Sequence, residues 1–259
     1  MNDPVFEVRG LRKDFPGGVC ALDGVDLDIT EGECLLVAGS NGSGKTILMR
    51  MLAGLLEPSG GTIRFRGEAL EAALKKRGSK HGAFRRQLGI VFQDPDAQFV
   101  GETVEEDAAF GPSNLGLSKT ETAERAAAAL DKTGLREKRE LPPRQLSGGE
   151  KRRLALAGVL AMGCRIIIMD EPFANLDWPG VVQVLNTIQA LKQGGATLII
   201  LTHELEKVLA FADRLVILHR GRIREDGKPE TVLDRLRPEY GVRDPRRSSV
   251  TVENCSWLN

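Results

Sequence analysis

The sequence predicts an α/β fold with a mostly parallel core sheet, an antiparallel β subdomain at its start and a helical insert. Three observations carry that expectation. Continuous apolar runs of strand length, ECLLVA (33–38), LGIVF (88–92), RIIIM (165–169) and TLIIL (197–201), are separated by helical segments. Such runs mark parallel strands covered on both faces. Short β-rich runs at VFEV (5–8), VDLDI (25–29) and GTIRF (61–65) form the antiparallel start. Residues 103–160, with SKTETAERAAAALDKTG among them, carry helical pattern and no convincing strand.

The remaining elements follow in order. ILMRMLAGLL (47–56) has helical apolar spacing, as does VVQVLNTIQALK (181–192). RLVILHRGRIRED (214–226) reads as a hairpin turning at Arg220-Gly221. From about Arg243 the chain is polar and reads as loosely attached. This gives one domain over 1–240, with the insert at about 94–160, and a polar C-terminal tail over 241–259.

A chain of 259 residues suits one large domain or two modest ones. Lys plus Arg and Asp plus Glu both number 36, so net charge is zero, which argues against a dedicated nucleic-acid binder. The four cysteines show no C-x-x-C pair. Cys34 and Cys164 read as small apolar filler, which fits a reducing compartment. The N-terminus has neither a basic n-region nor an apolar h-region, and no run reaches the ~18 apolar residues of a membrane span. Cys255 stands too far from the C-terminus for a prenylation box. The expectation is a cytosolic chain, at a membrane only where a partner holds it.

GSNGSGKT (39–46) matches G-x-x-x-x-G-K-[ST] between an apolar strand and a helix. Gly39, Gly42 and Gly44 let the backbone N–H groups of Ser40, Asn41 and Ser43 converge on phosphate oxygens. Lys45 supplies a point charge for the β- and γ-phosphates, and the Thr46 hydroxyl can ligate Mg²⁺. A nucleoside triphosphate is the expected ligand. RIIIMDEP (165–172) ends an apolar strand in Asp170, at the edge where α/β folds bind ligands. Asp170 is expected to hold Mg²⁺. Glu171 cannot point the same way and can face an attacking water as general base. His203, just past TLIIL, can contact the γ-phosphate and orient base and water. Gln93, at the end of LGIVF, can reach Mg²⁺ or that water. His81 and His219 read as a loop residue and a hairpin residue.

RQLSGGEKRR (144–153) raises a separate question. Ser147 and Glu150 make an S-x-x-E capping box, which alone means a well-capped helix. Gly148 and Gly149 weaken such a start unless something needs close approach to the backbone, and an anion does. The insert projects away from residues 39–46, so this second cradle is expected to serve an ATP held by another chain. The active unit is then a head-to-tail pair.

In this order GSNGSGKT, Gln93, LSGGE, IIIMDEP, the NLD of 175–177 and His203 resemble the ATPase subunit of ABC transporters. The resemblance covers residue 5 to about 236 and implies the ABC-type P-loop NTPase fold. By position, Phe15 resembles the aromatic residue that stacks on adenine, although Tyr is common there. Asn175, Leu176 and Asp177 resemble the loop that communicates between two nucleotide sites. Asn175 departs from the small residue usual at its place. VFQDPDAQFVGETVEEDAAFGPSNLGL (91–117) is similar to the energy-coupling factor ATPases of cobalt, nickel and vitamin uptake, where it lies near a groove for helices of the membrane subunit. The resemblance implies an ATPase using ATP and Mg²⁺, a second ABC ATPase chain, a transmembrane transporter subunit and a peripheral place on the cytoplasmic face. Soluble ABC ATPases acting on DNA or ribosomes usually carry coiled coils or a duplicated domain, and this chain has one motif set. A non-catalytic regulatory subunit would not need Lys45, Asp170, Glu171 and His203 together.

Overall fold

The computed structural model describes residues 4–75 and 84–247. His81 and Cys255 lie outside the described residues. Strands β1 (Pro4–Phe15) and β2 (Val19–Thr30) open the chain, followed by β3 (Cys34–Ala38), α1 (Lys45–Leu52), β4 (Gly60–Phe65), β5 (Glu68–Ala69), α2 (Leu70–Lys75) and β6 (Leu88–Val91). Helices α3 (Val104–Asn114), α4 (Lys119–Lys132) and α5 (Gly148–Met162) come next. Then follow β7 (Ile166–Asp170), α6 (Trp178–Gln193), β8 (Thr197–Thr202), α7 (Leu205–Val208), β9 (Arg214–His219), β10 (Arg222–Gly227) and α8 (Pro229–Asp234).

Two sheets form among the described residues. The larger has the order β10-β9-β3-β8-β7-β6, and only the β9–β10 hairpin is antiparallel. The smaller, β2-β1-β4-β5, is antiparallel throughout. The apolar runs fill two cores because alternate strand residues face opposite ways. Leu35, Val37, Ile166, Ile168, Ile199 and Leu201 pack toward α1 and the antiparallel sheet. Cys34, Leu36, Ile167, Met169, Leu198 and Ile200 pack toward α5 and α6. Burial raises the pKa of the Cys34 thiol to about 12 and of Cys164 to about 11, so both behave as filler. A third cluster joins α3, α4 and α5 through Val104, Ala126, Leu130, Leu154 and Ala157.

The antiparallel start is longer than the sequence suggests. Both β1 and β2 span 12 residues, because register shifts after Val8 and Lys13 carry the pairing past Gly10. α1 is shorter than the apolar spacing suggests. It stops at Leu52, where the Gly54 and Leu55 amides turn back onto the Met51 and Arg50 carbonyls at 3.0 and 2.8 Å. The tail keeps a hold on the body as far as it is described. Tyr240 and Val242 are buried, and Arg246 pairs with Asp234 at 2.8 Å and with Asp244 at 3.0 Å.

Close packing of β6 on α5 sets where the strand's end and the helix's start meet. A Cβ at Gly89 would stand 2.4 Å from Val159 Cγ1. Gly89→Ala should destabilise the chain by about 1–3 kcal/mol through overpacking, lowering the melting temperature by about 2–4 °C per kcal/mol. Adding Val159→Ala should recover part of that loss, which thermal unfolding of the single and double variants measures.

Candidate nucleotide site

The loop between β3 and α1, GSNGSGKT, turns at the carboxyl edge of the parallel sheet. Two of its glycines are forced. A Cβ at Gly39 would lie 2.2 Å from the Leu218 carbonyl oxygen and 2.6 Å from Ser43 Oγ. Gly44 starts α1 with left-handed backbone at φ 107°, and a Cβ there would meet the Ala21 carbonyl oxygen at 2.7 Å. The Gly221 amide donates to the Ser43 carbonyl at 2.9 Å, so the β9–β10 hairpin supports the loop from behind. His219 ends β9 with its ring against Tyr240, and a Cβ at neighbouring Gly241 would stand 2.9 Å from Ser40 Cβ.

Lys45 is buried, and its ammonium donates to the Gly39 carbonyl at 2.7 Å and the Ser40 carbonyl at 3.3 Å. It also lies 3.7 Å from Glu171 Oε1. Burial pulls its pKa down, and the Glu171 and Asp170 carboxylates oppose that shift. Thr46 Oγ1 donates to Asp170 Oδ2 at 2.8 Å. Burial raises the pKa of Asp170, and the Thr46 hydroxyl bond works against it. Asp170 Oδ1 is buried with no hydrogen-bond partner. An orphaned carboxylate oxygen beside a hydroxyl is a hard-oxygen set that suits Mg²⁺.

Adjacent carboxylates at a strand end are expected to diverge, and these two take different partners, Thr46 for Asp170 and Lys45 with His203 for Glu171. Glu171 adopts left-handed backbone at φ 48°, a conformation costing a non-glycine residue about 1–3 kcal/mol. Its amide donates to the Leu201 carbonyl at 2.8 Å, and its carbonyl accepts from Arg152. The turn swings the side chain back over the sheet edge. There its carboxylate, on a side chain only 7% exposed, meets Lys45 on one oxygen and His203 Nδ1, at 3.0 Å, on the other. Half-exposed His203 also presents its amide 3.4 Å from Glu171 Oε2.

The other expected site residues lie around this centre. Gln93 is exposed, and its carbonyl accepts from Arg152 Nη2 at 2.7 Å. Ser147 caps α5 with a complete box: Ser147 Oγ accepts from the Glu150 amide at 3.3 Å, and Glu150 Oε2 accepts from the Ser147 amide at 2.9 Å. A Cβ at Gly148 would meet nothing within 4 Å, whereas one at Gly149 would lie 3.3 Å from Leu176 Cδ2. Gly148 lines a cavity with Gln93, Arg152 and Asn175, and none of residues 39–46 lines it. Asn175 sits in left-handed backbone at φ 59°, which asparagine tolerates better than most residues. Asp177 has one oxygen engaged as the cap of α6, 3.0 Å from the Gly180 amide. Phe15 stands on the separate antiparallel sheet, paired with Val19, with Lys13 Nζ 5.4 Å from its ring centroid. Arg152 is the residue of consequence that motif reading passes over. Its only sequence signal is its place in the basic KRR run that directly follows LSGGE, where it reads as one cation among three.

Residues 22–174 match the family described as ABC transporter. The chain is 39% identical to the cobalt import ATP-binding protein CbiO of Rhodobacter capsulatus, over 93% of this chain and 86% of that protein. It is 38% identical to the energy-coupling factor transporter ATP-binding protein EcfA of Methanococcus maripaludis, over 88% and 81% respectively. Among solved structures, CbiO1 of Clostridium perfringens, described as part of the ABC transporter complex CbiONQ, superposes with a TM-score of 0.78 at 34% identity. That alignment covers 92% of this chain and 93% of the other. A loop, two carboxylates and a histidine on one sheet edge, with a family match across more than half the chain, lead to one conclusion: the chain is a member of the ABC transporter ATPase family.

Proposed function

We propose that the chain hydrolyses ATP to drive an energy-coupling factor importer of metal ions or vitamins, paired head to tail with a second ABC ATPase chain. One observation supports hydrolysis above all: the buried Glu171 carboxylate lies between Lys45 Nζ and His203 Nδ1. The ammonium of Lys45 leaves Glu171 for the β- and γ-phosphates, which releases one carboxylate oxygen. Glu171 then accepts a proton from the attacking water while His203 holds the other oxygen in place. The new bond forms from water oxygen to the γ-phosphorus, the bond to the ADP oxygen breaks, and ADP and phosphate leave. Gln93 reaches the water from the loop after β6. Thr46 and Asp170, with Gln93, would hold Mg²⁺, which neutralises phosphate charge when bound. Phe15 stacks on adenine.

The energy-coupling factor reading rests on the relatives and on a groove. Phe110 and Leu55, both about half exposed, line a depression with Phe84, Leu88, Leu115 and Met162 beside segment 91–117. In this reading the groove receives helices of the membrane subunit, and the chain works as a peripheral subunit on the cytoplasmic face of the membrane. No helix among the described residues is long and apolar enough to cross a membrane itself.

Glu171→Gln should leave ATP affinity intact and slow hydrolysis about 10²- to 10⁴-fold, the span for loss of a general base. Steady-state turnover beside nucleotide titration checks this, and wild-type turnover would remove Glu171 as the base. Ser147→Arg tests the second cradle. ATP affinity of the isolated chain should stay near wild type, because residues 39–46 hold that nucleotide. Pairing should be lost, because the side chain obstructs the helix start that closes over the partner's γ-phosphate. Size-exclusion chromatography with ATP in a Glu171→Gln background reads the pairing, with Glu171→Gln alone as the dimerising reference. Loss of monomer affinity with a normal fold would place both cradles on one ATP.

A further inference from the structure

Arg152 lies in the second turn of α5 and is 4% exposed. One nitrogen, Nη1, donates to the Glu171 carbonyl, and Nη2 donates to the Gln93 carbonyl at 2.7 Å. A single planar guanidinium thus bridges the backbone after β7 and the backbone after β6. Burial lowers its pKa, and the charges of Glu171, Asp170, Asp94 and Glu204, in that order, oppose the shift. An apolar side chain of similar volume would fill the space without a buried charge, so packing alone does not account for an arginine here. Two features show what the bridge does. Glu171 is in left-handed backbone, and with its amide on Leu201 and its carbonyl on Arg152, both of its main-chain polar groups are pinned. Gln93 is pinned at its carbonyl while its side chain remains exposed.

We propose that Arg152 is a positioning residue that couples the start of α5 to the hydrolytic site of its own chain. It sits five residues past Ser147, roughly 7.5 Å along the helix axis. A displacement of α5 when the Ser147–Gly149 cradle closes on the partner's ATP therefore moves the Glu171 and Gln93 carbonyls together. Base and water-orienting residue reach their working positions only when the neighbouring site is filled. This rests on the proposed base and the proposed pairing, and adds the link between them.

Arg152→Met keeps the length and removes the fork, whereas Arg152→Lys keeps the charge but not the planar two-nitrogen geometry. The coupling predicts that Arg152→Met binds ATP as the wild type does in the isolated chain and still pairs with ATP. Its kcat should fall at least tenfold with KM within about twofold, so the ATP-bound pair accumulates in size-exclusion chromatography although Glu171 is intact. Arg152→Lys should lower kcat at least threefold, also at unchanged KM. A merely structural arginine would give a different pattern, with melting temperature, pairing and turnover falling together, and that pattern overturns the proposal. Wild-type kcat in either variant overturns it too. If Arg152→Met melts far below wild type, kcat and KM of Arg152→Lys decide. The outcomes separate from failure of the base assignment: full turnover in Glu171→Gln removes the base, whereas an inactive Glu171→Gln beside a fully active Arg152→Met removes only the coupling.

Discussion

Ala38 lies opposite Thr202 and Asp170 opposite Leu201, so three neighbouring parallel strands run out within a residue of one another. Each then delivers a different group to the same space: β3 the loop ending in Lys45 and Thr46, β7 the two carboxylates, β8 the histidine. A slip of one residue would exchange the two faces of a strand. Both faces are apolar and packed into separate cores, through Leu35 and Val37 on one side and Cys34 and Leu36 on the other. The chemistry is therefore indexed by hydrophobic packing deep in the sheet, far more rigidly than a flexible loop could index it.

Charge is arranged on that edge with equal economy. Lys45, Asp170, Glu171 and Arg152 are all nearly inaccessible to water, where isolated charges are costly. Each has a partner in the fold: loop carbonyls and Glu171 for Lys45, Thr46 for Asp170, His203 and Lys45 for Glu171, and two backbone carbonyls for Arg152. The Lys45–Glu171 contact is the loosest of these at 3.7 Å. In the proposed reaction it is the contact that a polyphosphate would replace, and Glu171 would keep its 3.0 Å contact with His203.

The elements that place the site were legible because each has a local cause. Apolar runs gave β3, β7 and β8, the motif gave the loop, and S-x-x-E gave the start of α5 with its capping box in place. What escaped was non-local or conformational. The bulges that lengthen β1 and β2 depend on pairing between strands, which apolar patterning does not report. The left-handed backbone of Glu171 falls on a residue type that seldom adopts it, so nothing in Asp-Glu-Pro announced the turn that sets its carboxylate against Lys45 and His203. Arg152 reads as one more solvated cation in EKRR until tertiary structure puts it against two carbonyls from distant segments. The hold of Arg246 on Asp234 and Asp244 was likewise invisible in a stretch whose composition reads only as polar.

The same topology favours one order of assembly over others. Helices α3, α4 and α5 each begin with a self-contained capping box, and they share a cluster drawn almost wholly from residues 104–161. β3, by contrast, has β8 and β9 as its sheet neighbours, and the turn before it is tied to Thr197 across 165 residues. Contacts that close long loops form late, and local ones form early. During synthesis the insert can settle while the nucleotide loop still lacks both strands that support it. The phosphate cradle is thus translated well before the strands and the hairpin that support it, and it is complete only once they have joined it.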